Sequence, residues 1–310
     1  MKVTVKIPAT TANLGPGFDC FGLALPIYNY VTVEETVMPG SGIQIEIINN
    51  NNNDDILNSV PTDESNIAYK AIELLYNFIG QNPDELKITI KSDIPMAKGL
   101  GSSASVIVGG LIAANELLGR PADTDVLLSI ATEIEGHPDN VAPAILGGFV
   151  FASQENDGSV LYRKIDWNKD WKLTVCVPDY ELATNISRSV IPTEIPLKDA
   201  VFNLKRSAMF IHALQTKDSQ LMKAALKDKI HQPYRTKLVP GLNEIIDSLK
   251  NEENVLGTVL SGAGPAILVI SEGNNKDRIY QIIEDTWNNL NVKVNIFTVE
   301  PEENGACIVE

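Results

Sequence analysis

The sequence predicts an α+β protein of two domains packed side by side, and three observations lead to this prediction. The chain has 310 residues, enough for one large or two ordinary domains. Its first half mixes segments of alternating apolar and polar residues, typical of half-buried strands, with segments of helical spacing. After about residue 170 the order becomes strand, three helices, two strands, helix and strand, which is typical of an open sheet covered by helices on one face. We therefore expect domains at residues 1–170 and 171–310.

The first half contains six predicted strands and three predicted helices. The strands are expected where apolar and polar residues alternate, at residues 2–7, 28–33, 43–48, 86–90, 147–152 and 160–165. The helices are expected where apolar residues recur every three or four positions, at residues 66–79, 103–118 and 123–135. The polar run of residues 49–55 is predicted to be a solvated loop.

The second half is predicted to begin with an apolar strand at residues 173–177. The other elements are expected as helices at 199–215, 219–226 and 242–250, strands at 255–260 and 267–270, a helix at 276–289 and a strand at 292–297. The turn that joins the middle two strands is rich in glycine, with the sequence Leu-Ser-Gly-Ala-Gly-Pro-Ala at residues 260–266. A plain hairpin would not need so many small residues.

The composition excludes several classes of protein. Hydrophobic residues make up 44% and charged residues 21% of the chain, as in a globular protein. A net charge of −15 argues against a nucleic-acid partner, because phosphates need a basic face. No apolar run predicts a membrane span, and residues 1–10 lack the apolar core of a signal peptide. Since Cys20, Cys176 and Cys307 are too far apart for a disulfide framework or a CxxC metal site, we expect free thiols and a cytoplasmic location.

Residues 95–105, between a predicted strand and a predicted helix, have the properties of a phosphate cradle. Gly99 and Gly101 can adopt positive φ and let the backbone approach a ligand closely. We therefore expect Gly101→Val to weaken binding of a phosphate-bearing ligand while leaving the fold largely intact. Ser102 and Ser103 open the helix, whose free N–H groups and dipole attract anions, and a serine hydroxyl can ligate Mg²⁺. The expected cofactor-binding residues are Pro95, Met96, Ala97, Lys98, Gly99, Leu100, Gly101, Ser102, Ser103, Ala104 and Ser105.

Other interpretations of this loop remain open. A P-loop is absent, because no lysine follows Gly101. Residues 99–104 do satisfy the relaxed GxGxxA dinucleotide fingerprint. In that fingerprint the strand leads almost directly into the first glycine, whereas here Pro95 and further loop residues intervene. A glycine-rich turn with a serine N-cap is the simplest alternative.

Two further segments combine turn residues with polar side chains. In residues 8–19, Asn13 and Asp19 flank a Gly-Pro-Gly turn, where a carboxylate could hold an ammonium group; a turn alone would explain the glycines. Glu135 ends a predicted helix, where the helix dipole disfavours a negative charge. An acidic residue at this position therefore suggests another role, such as binding a metal ion. His137 and the polar pair after Pro138 are predicted to lie in a short loop, and the alternative is a helix stop followed by a polar turn.

These segments together resemble the GHMP kinase superfamily of galactokinase, homoserine kinase, mevalonate kinase and phosphomevalonate kinase. Three motifs occur in order, namely PATTANLGPGFD at residues 8–19, PMAKGLGSSAS at 95–105 and LSGAGPA at 260–266. EGHPDNVAP at 135–143 and HQPYRTKLVPG at 231–241 are similar to the branch that phosphorylates homoserine.

The resemblance implies a fold and an activity. The expected fold is a ribosomal-protein-S5-like N-terminal domain and a ferredoxin-like C-terminal domain, with ATP and Mg²⁺ in the cleft between them. The expected reaction is phosphorylation of the side-chain hydroxyl of L-homoserine, on the route to threonine, by a homodimer. A related kinase acting on mevalonate, galactose or a shikimate-type alcohol, and a non-catalytic nucleotide-binding relative, are the alternatives.

The resemblance also implies roles for individual residues. Catalytic roles fall on Glu135, Asp139 and Asn140; either of the last two would face the attacking hydroxyl, and no dedicated base is expected. Glu135 with Ser103 would hold Mg²⁺, and Glu133 is the alternative ligand. The residues expected to contact homoserine are Asn13, Asp19, His137, Asn140, Thr184, Arg188 and Arg235. Among these, we expect Asp19 to bind the ammonium and the two arginines, held apart from it, to bind the carboxylate.

Overall fold

The computed structural model describes residues 1–35, 40–49, 60–83, 85–273 and 276–309. Over these residues the strands are β1 Lys2–Ala12, β2 Phe21–Glu35, β3 Gln44–Asn49, β4 Leu86–Ser92, β5 Phe149–Gln154, β6 Val160–Ile165, β7 Trp171–Pro178, β8 Val255–Leu260, β9 Ile267–Glu272, β10 Val294–Val299 and β11 Cys307–Ile308. The helices are α1 Ile67–Phe78, α2 Ser102–Leu117, α3 Thr124–Glu135, α4 Pro138–Leu146, α5 Thr184–Ser189, α6 Leu197–Thr216, α7 Ser219–Ala225, α8 Gln232–Arg235, α9 Leu242–Leu249 and α10 Lys276–Asn288.

The predicted α+β class and all the predicted strands and helices are confirmed, although β1 and β2 are several residues longer than expected. The prediction of a loop after Glu135 is wrong, because Pro138–Leu146 forms helix α4. His137 is its N-cap and Pro138 its first residue, a position where the missing N–H of proline costs nothing. The short helices α5 and α8 and the strand β11 were not predicted. Most of the polar run expected as a loop, residues 50–55, lies outside the described residues.

The N-terminal sheet has seven described strands. Five of them lie in the order β11-β1-β2-β4-β3, β5 also pairs with β2, and β6 pairs with β5. Helix α2 packs across β1 and β2. It approaches closely because Gly109 has no side chain; a Cβ there would lie 2.6 Å from Val31 and 2.7 Å from Ile7. Buried strand residues such as Val33 contribute about 1.5–3 kcal/mol each to this core. This packing fixes the N-terminus of α2 at the edge of the core.

The C-terminal sheet consists of β10, β7, β9 and β8 in that spatial order, and all three pairings are antiparallel. In chain order the elements run β7, helices, β8, β9, α10 and β10. This is the split βαββαβ arrangement, so the ferredoxin-like prediction is confirmed. Trp287 of α10 and Leu242 of α9 are buried in its core. Another cluster joins the two sheets, with Phe149 on one side and Phe210 and Leu173 on the other.

The end of the described chain crosses back to the N-terminal sheet. Strand β11 pairs with β1, and the N–H of Ala306 donates to the carbonyl oxygen of Ala144 over 2.8 Å. The N–H of Gly148 likewise donates to the carbonyl oxygen of Glu302 over 2.7 Å. We propose residues 1–170 and 171–310 as the two domains, with residues 302–309 packed on the first.

The expectation of free thiols is confirmed, because Cys20, Cys176 and Cys307 all lie among the described residues and none is in a disulfide. Within that part of the chain, no helix is long and apolar enough to cross a membrane.

Candidate active site

A cleft of about 440 Å³ brings together side chains from both halves of the chain. A volume of this size is typical of a small-molecule site. Nearly all the predicted site residues line it, the exceptions being Ala104 and Ser105, which are buried in α2. The lining residues named from the sequence are Asn13, Asp19, Pro95, Met96, Ala97, Lys98, Gly99, Leu100, Gly101, Ser102, Ser103, Glu135, His137, Asp139, Asn140, Thr184, Arg188 and Arg235.

The loop before α2 is fixed through its carbonyl groups. Four consecutive carbonyl oxygens accept hydrogen bonds: Ala97 from Leu182 N–H (3.0 Å), Lys98 from Ala266 N–H (3.0 Å), Gly99 from the Ser261 hydroxyl (2.6 Å) and Leu100 from Thr10 N–H (3.1 Å). Among the described residues, none accepts a hydrogen bond from the backbone N–H groups of residues 98–103. Unpaired N–H groups at a helix N-terminus form an anion site. The geometry therefore supports a phosphate cradle.

The predicted need for positive φ at the two glycines of this loop is confirmed, and the structure adds a second reason for them. A Cβ on Gly99 would lie 2.2 Å from the carbonyl oxygen of Ser261, and one on Gly101 would lie 1.9 Å from the Thr10 hydroxyl. Both glycines also have positive φ, of 77° and 67°. The absence of a side chain at each glycine leaves room for Ser261 and Thr10. The expectation that Gly101→Val would leave the fold intact is therefore wrong, because a side chain there would collide with β1.

Asn29, which was not singled out from the sequence, fixes the loop at both ends. This side chain of β2 is fully buried. Its carbonyl oxygen accepts from the N–H of Ile94 over 3.0 Å, before the glycines, and its amide nitrogen donates to the Ser105 hydroxyl over 2.8 Å, in the first turn of α2. A buried polar residue in an otherwise apolar strand was the sequence signal that could have identified it.

Lys98 lies in the loop, where its ammonium donates to the carbonyl oxygen of Tyr180 over 2.7 Å. Burial lowers the pKa of this lysine. The contact places a cation beside the unpaired N–H groups.

Ser103 and Glu135, which were predicted to hold a metal ion, lie side by side. The Ser103 hydroxyl contacts both carboxylate oxygens of Glu135, at 2.9 and 3.1 Å. Burial raises the pKa of Glu135, and His137 and the bond from Ser103 offset this only in part. Carboxylate and hydroxyl oxygens beside a phosphate cradle are ligands of the type Mg²⁺ takes, so this donor set fits the ion. Glu133, the alternative, is exposed and does not line the cleft.

A polar cluster lies at the start of α4. His137 donates from Nδ1 to Oδ1 of Asp139, which also accepts from the amide of Asn140 over 3.0 Å. Asn140 in turn accepts from the Thr10 hydroxyl over 2.8 Å. Burial alone would lower the pKa of His137, but the bond to Asp139 and the surrounding carboxylates raise it. Asp139 and Asn140 are thus held in fixed orientations in the cleft.

Asp19 and Arg188 are not held apart, contrary to the expectation. The guanidinium of Arg188 donates to both carboxylate oxygens of Asp19, over 2.6 and 3.1 Å. The N–H of Asp19 donates to the amide oxygen of Asn13 over 3.0 Å, while the amide nitrogen of Asn13 donates to the carbonyl oxygen of Gly262 over 2.9 Å. Helix α5, which was not predicted, carries Arg188 across the cleft to this loop and places Thr184 on the same lining.

Arg235 is only 2% exposed, and no acidic residue among those described forms an ion pair with it. It donates to the carbonyl oxygens of Ser187 (3.1 Å) and Gly262 (3.0 Å). Burial and the nearby Arg188 lower the pKa of Arg235 to about 10. A buried cation that lines a cleft without an acidic partner is suited to receive an anion.

The opposite end of the cleft is apolar, and it was not identified from the sequence. It is lined by Ile47, Val60, Pro61, Ile67, Ile90 and Val106. The alternation in β3 and β4 predicted strands, but alternation alone does not show that one face of β3 borders a cleft.

The fold and the site together define a class of protein. An S5-like domain and a ferredoxin-like domain share one cleft, which contains the unpaired N–H groups of residues 98–103 and the adjacent oxygen atoms of Ser103 and Glu135. Residues 66–148 match the family described as GHMP kinases N terminal domain, and residues 210–289 match GHMP kinases C terminal. The chain is thus a GHMP kinase.

Proteins of similar sequence and structure narrow the assignment within the GHMP kinases. A homoserine kinase of Carboxydothermus hydrogenoformans is 41% identical over 305 residues, which cover 98% of this chain and 96% of that protein. A homoserine kinase of Trichormus variabilis is 38% identical over 310 residues and 98% of each chain. The crystal structure of homoserine kinase from Cytophaga hutchinsonii has a TM-score of 0.88 at 27% identity, covering 99% of this chain and 97% of that one. The chain therefore belongs to the homoserine kinase family.

Proposed function

We propose that this protein transfers the γ-phosphoryl group of ATP to the side-chain hydroxyl of L-homoserine, giving O-phospho-L-homoserine for threonine biosynthesis. The observation that carries the proposal is Arg235, a buried cation with no acidic partner among the described residues. It lies in the same cleft as the unpaired N–H groups of residues 98–103. One cleft thus offers a site for a carboxylate and a site for phosphates.

ATP would lie along the cleft with its phosphates on residues 95–103 and its base at the apolar end near Ile67 and Val106. The N–H groups of the loop and the positive end of α2 would neutralise the phosphate charge. Glu135 and Ser103 would hold Mg²⁺, which supplies further charge neutralisation when bound. Phosphoryl transfer has a loose transition state, so this positioning and neutralisation provide most of the rate enhancement.

L-Homoserine would bind at the charged end. Asp19 would hold its ammonium group, and Arg235 with Arg188 its carboxylate. Arg188 already spans from α5 to Asp19, so a zwitterion bound between them would keep every charge paired. Asn13 orients Asp19, and Thr184 and His137 complete the lining of this end.

The side-chain hydroxyl would attack the γ-phosphorus from beside Asn140 and Asp139. A bond forms between the hydroxyl oxygen and phosphorus, the bond from phosphorus to the bridging oxygen of ADP breaks, and the hydroxyl proton is released. Asn140 is oriented by Thr10 and Asp139 by His137, so both can contact the hydroxyl without moving. We propose that no dedicated base is required, since a loose transition state develops little charge on the nucleophile.

The charges of the site disfavour other acceptor alcohols. Mevalonate lacks an ammonium group, so Arg188 could bind its carboxylate only by leaving Asp19 unpaired, while galactose lacks both charges and would leave Arg235 without an anion. Leaving a partly buried charged group without its hydrogen-bond partner costs roughly 1–3 kcal/mol. We therefore expect little or no turnover of either compound.

We also propose that the enzyme is a cytoplasmic homodimer acting on free small molecules, with no nucleic-acid or membrane partner. The net charge of −15 disfavours a polyanionic partner. Leu197 and Leu204, seven residues apart on α6, are 79% and 72% exposed and form an apolar stripe that a second subunit could cover. Sedimentation equilibrium will test the dimer, and a monomer at assay concentrations would contradict it.

A coupled assay of ADP release against a panel of alcohols tests the proposed function. We expect Mg²⁺-dependent turnover with L-homoserine, and rates near background with mevalonate, galactose and shikimate. Efficient phosphorylation of mevalonate would reassign the protein to a related kinase, and absence of turnover with every alcohol would indicate a non-catalytic relative.

A further inference from the structure

His231 is fully buried beside the acceptor end of the cleft, and the proposed reaction gives it no role. It precedes the first turn of α8 and lies four residues before Arg235. Its ring contacts two groups from different halves of the chain. Nε2 lies 2.8 Å from the carbonyl oxygen of Gly15, and Nδ1 lies 3.3 Å from Nη1 of Arg235. The imidazole therefore bridges the turn before Asp19 and the buried arginine.

The two contacts assign one protonation state. A carbonyl oxygen only accepts, so Nε2 of His231 must carry a proton and donate to Gly15. A guanidinium only donates, so Nδ1 must be unprotonated and accept from Arg235. Burial and the charge of Arg235 lower the pKa of His231, in agreement with a neutral ring. The neutral tautomer with the proton on Nε2 satisfies both nitrogens of the ring.

The backbone of His231 is fixed by Asp228, whose side chain is also fully buried. One carboxylate oxygen accepts from the N–H groups of His231 (3.0 Å) and Gln232 (2.7 Å), and the other accepts from the amide of Asn203 over 2.6 Å. The charge of Asp228 is therefore satisfied by these donors. Nε2 of the imidazole lies 3.6 Å from Oδ2 of Asp228, beyond hydrogen-bond distance, and bonds Gly15, while Nδ1 bonds Arg235.

Phe18 packs against this bridge. Its ring stacks on the imidazole of His231, with centroids 5.2 Å apart and an interplanar angle of 19°. The guanidinium carbons of Arg235 and Arg188 lie 5.4 and 5.5 Å from the centroid of the same ring. Phe18 precedes Asp19 directly in the chain, so the stack ties the ammonium-binding carboxylate to both arginines.

His231 differs from the other groups that hold Arg235. The two carbonyl acceptors, of Ser187 and Gly262, contact Nε and Nη1. No described residue accepts from Nη2, which leaves that nitrogen to donate to a ligand. The carbonyl of Gly262 also joins Arg235 to the N-terminal segment, because it accepts from Asn13, and the imidazole of His231 adds a side-chain link between Arg235 and the Gly15 turn. It can thus fix the distance between the cation and Asp19.

On the basis of the proposed function, we propose that His231 is a positioning residue for the acceptor substrate. It holds the guanidinium of Arg235 and the Gly15 turn at the separation that an amino acid's carboxylate and ammonium require. His231→Phe keeps the aromatic stack but removes both hydrogen bonds. We expect it to raise the KM for L-homoserine at least about tenfold, with the KM for ATP unchanged and kcat within about threefold.

A double-mutant cycle with Arg235→Leu provides a measurement that a merely structural role would not affect. If His231 acts through Arg235, His231→Phe will have little further effect on the homoserine KM in the Arg235→Leu background. Effects that multiply independently in the double variant would overturn the proposal. His212→Phe, which removes an exposed imidazole from α6, is the matched control and should leave both KM values unchanged. Failure of the wild-type protein to phosphorylate homoserine would instead reject the proposed function.

Two smaller changes test the same claim if the phenylalanine variant does not fold. The amide of asparagine reaches the position of Nδ1, so His231→Asn keeps an acceptor for Arg235. The amide of glutamine reaches the position of Nε2, so His231→Gln keeps only the donor to Gly15. Because each variant keeps only one of the two hydrogen bonds, we expect both to raise the homoserine KM several-fold, with the KM for ATP unchanged. A homoserine KM equal to that of wild type in either variant would overturn the proposal.

Discussion

The two ends of the cleft are built from different parts of the chain. The phosphate end is one continuous segment, residues 95–103, whose backbone N–H groups face the ligand site and whose carbonyl groups are bound by the protein. The acceptor end is assembled from side chains on separate segments, including Asp19, Arg188 and Arg235. These side chains are oriented by one another and by His231.

This difference predicts which substitutions impair each end of the cleft. A backbone site depends on close packing and positive φ, so it is sensitive to any added side chain but tolerant of changes in charge. A site made of side chains depends on charge and hydrogen-bond geometry. Substitutions at the two ends should therefore have separable effects on ATP and on homoserine.

The largest effect is expected at Gly101. A Cβ there would lie 1.9 Å from the Thr10 hydroxyl, whereas a Cβ on Gly119 would have no atom within 4 Å. Both glycines have positive φ, of 67° and 78°, so Gly119→Ala controls for backbone strain. We expect Gly101→Ala to lower the free energy of unfolding by about 1–3 kcal/mol more than Gly119→Ala, measured by urea denaturation. Equal losses of unfolding free energy in the two variants would show that the loop can rearrange to accommodate the added side chain.

Glu135→Gln should have the next largest effect. Removing the carboxylate charge beside Ser103 should lower kcat about 100-fold, equivalent to about 2.7 kcal/mol, with little change in the KM for homoserine. Glu133→Gln, on the same helix but exposed, is the matched control and should retain kcat within about twofold. Steady-state kinetics at several Mg²⁺ concentrations will check this. If Glu133→Gln is the impaired variant, the metal pair is misassigned.

Charge changes at the acceptor end should affect homoserine alone. Asp19→Asn and Arg235→Leu should each raise the KM for L-homoserine at least about tenfold, about 1.4 kcal/mol, because each removes the partner of one charge on the zwitterion. The KM for ATP should stay within about twofold. Arg120→Leu removes an exposed arginine outside the cleft and serves as the control. An unchanged homoserine KM in both acceptor-end variants would contradict this assignment.

The smallest effect on turnover is expected from Asn29→Ala. The change removes the side chain that bonds both ends of the phosphate loop. The KM for ATP should therefore rise several-fold, and the free energy of unfolding should fall by about 1–3 kcal/mol. Asn115→Ala removes a comparably buried amide that bonds Ala122 near the far end of α2. It should cost similar stability and leave the ATP KM unchanged. An equal rise in the ATP KM of both variants would indicate general destabilisation.

The continuous parts of the molecule could be predicted from the sequence. Periodicity indicated the strands and helices, and residues 95–105 showed glycines and serines together at a helix start. The resemblance placed Glu135, Asp139 and Asn140 at the site, and the structure locates all three in the cleft. These signals are local, so no knowledge of tertiary contacts was needed.

The contacts within the discontinuous parts could not be predicted, although the resemblance named Asp19, Arg188 and Arg235 as site residues. Helices α5 and α8 have six and four residues, too short for a periodic signal, yet they carry Arg188 and Arg235. The ion pair between Asp19 and Arg188 spans 169 positions of the chain. No local pattern gave His231 a role, because its partner Gly15 lies 216 positions away in the chain. Such contacts depend on tertiary packing that no local pattern encodes.

One measurement tests the central claim most directly, namely ³¹P NMR of the product formed from ATP, Mg²⁺ and L-homoserine. The account predicts a phosphate monoester resonance split into a triplet by the two protons of the adjacent methylene group, together with stoichiometric ADP. Phosphorus attached to the amine or carboxylate, or inorganic phosphate as the sole product, would contradict it.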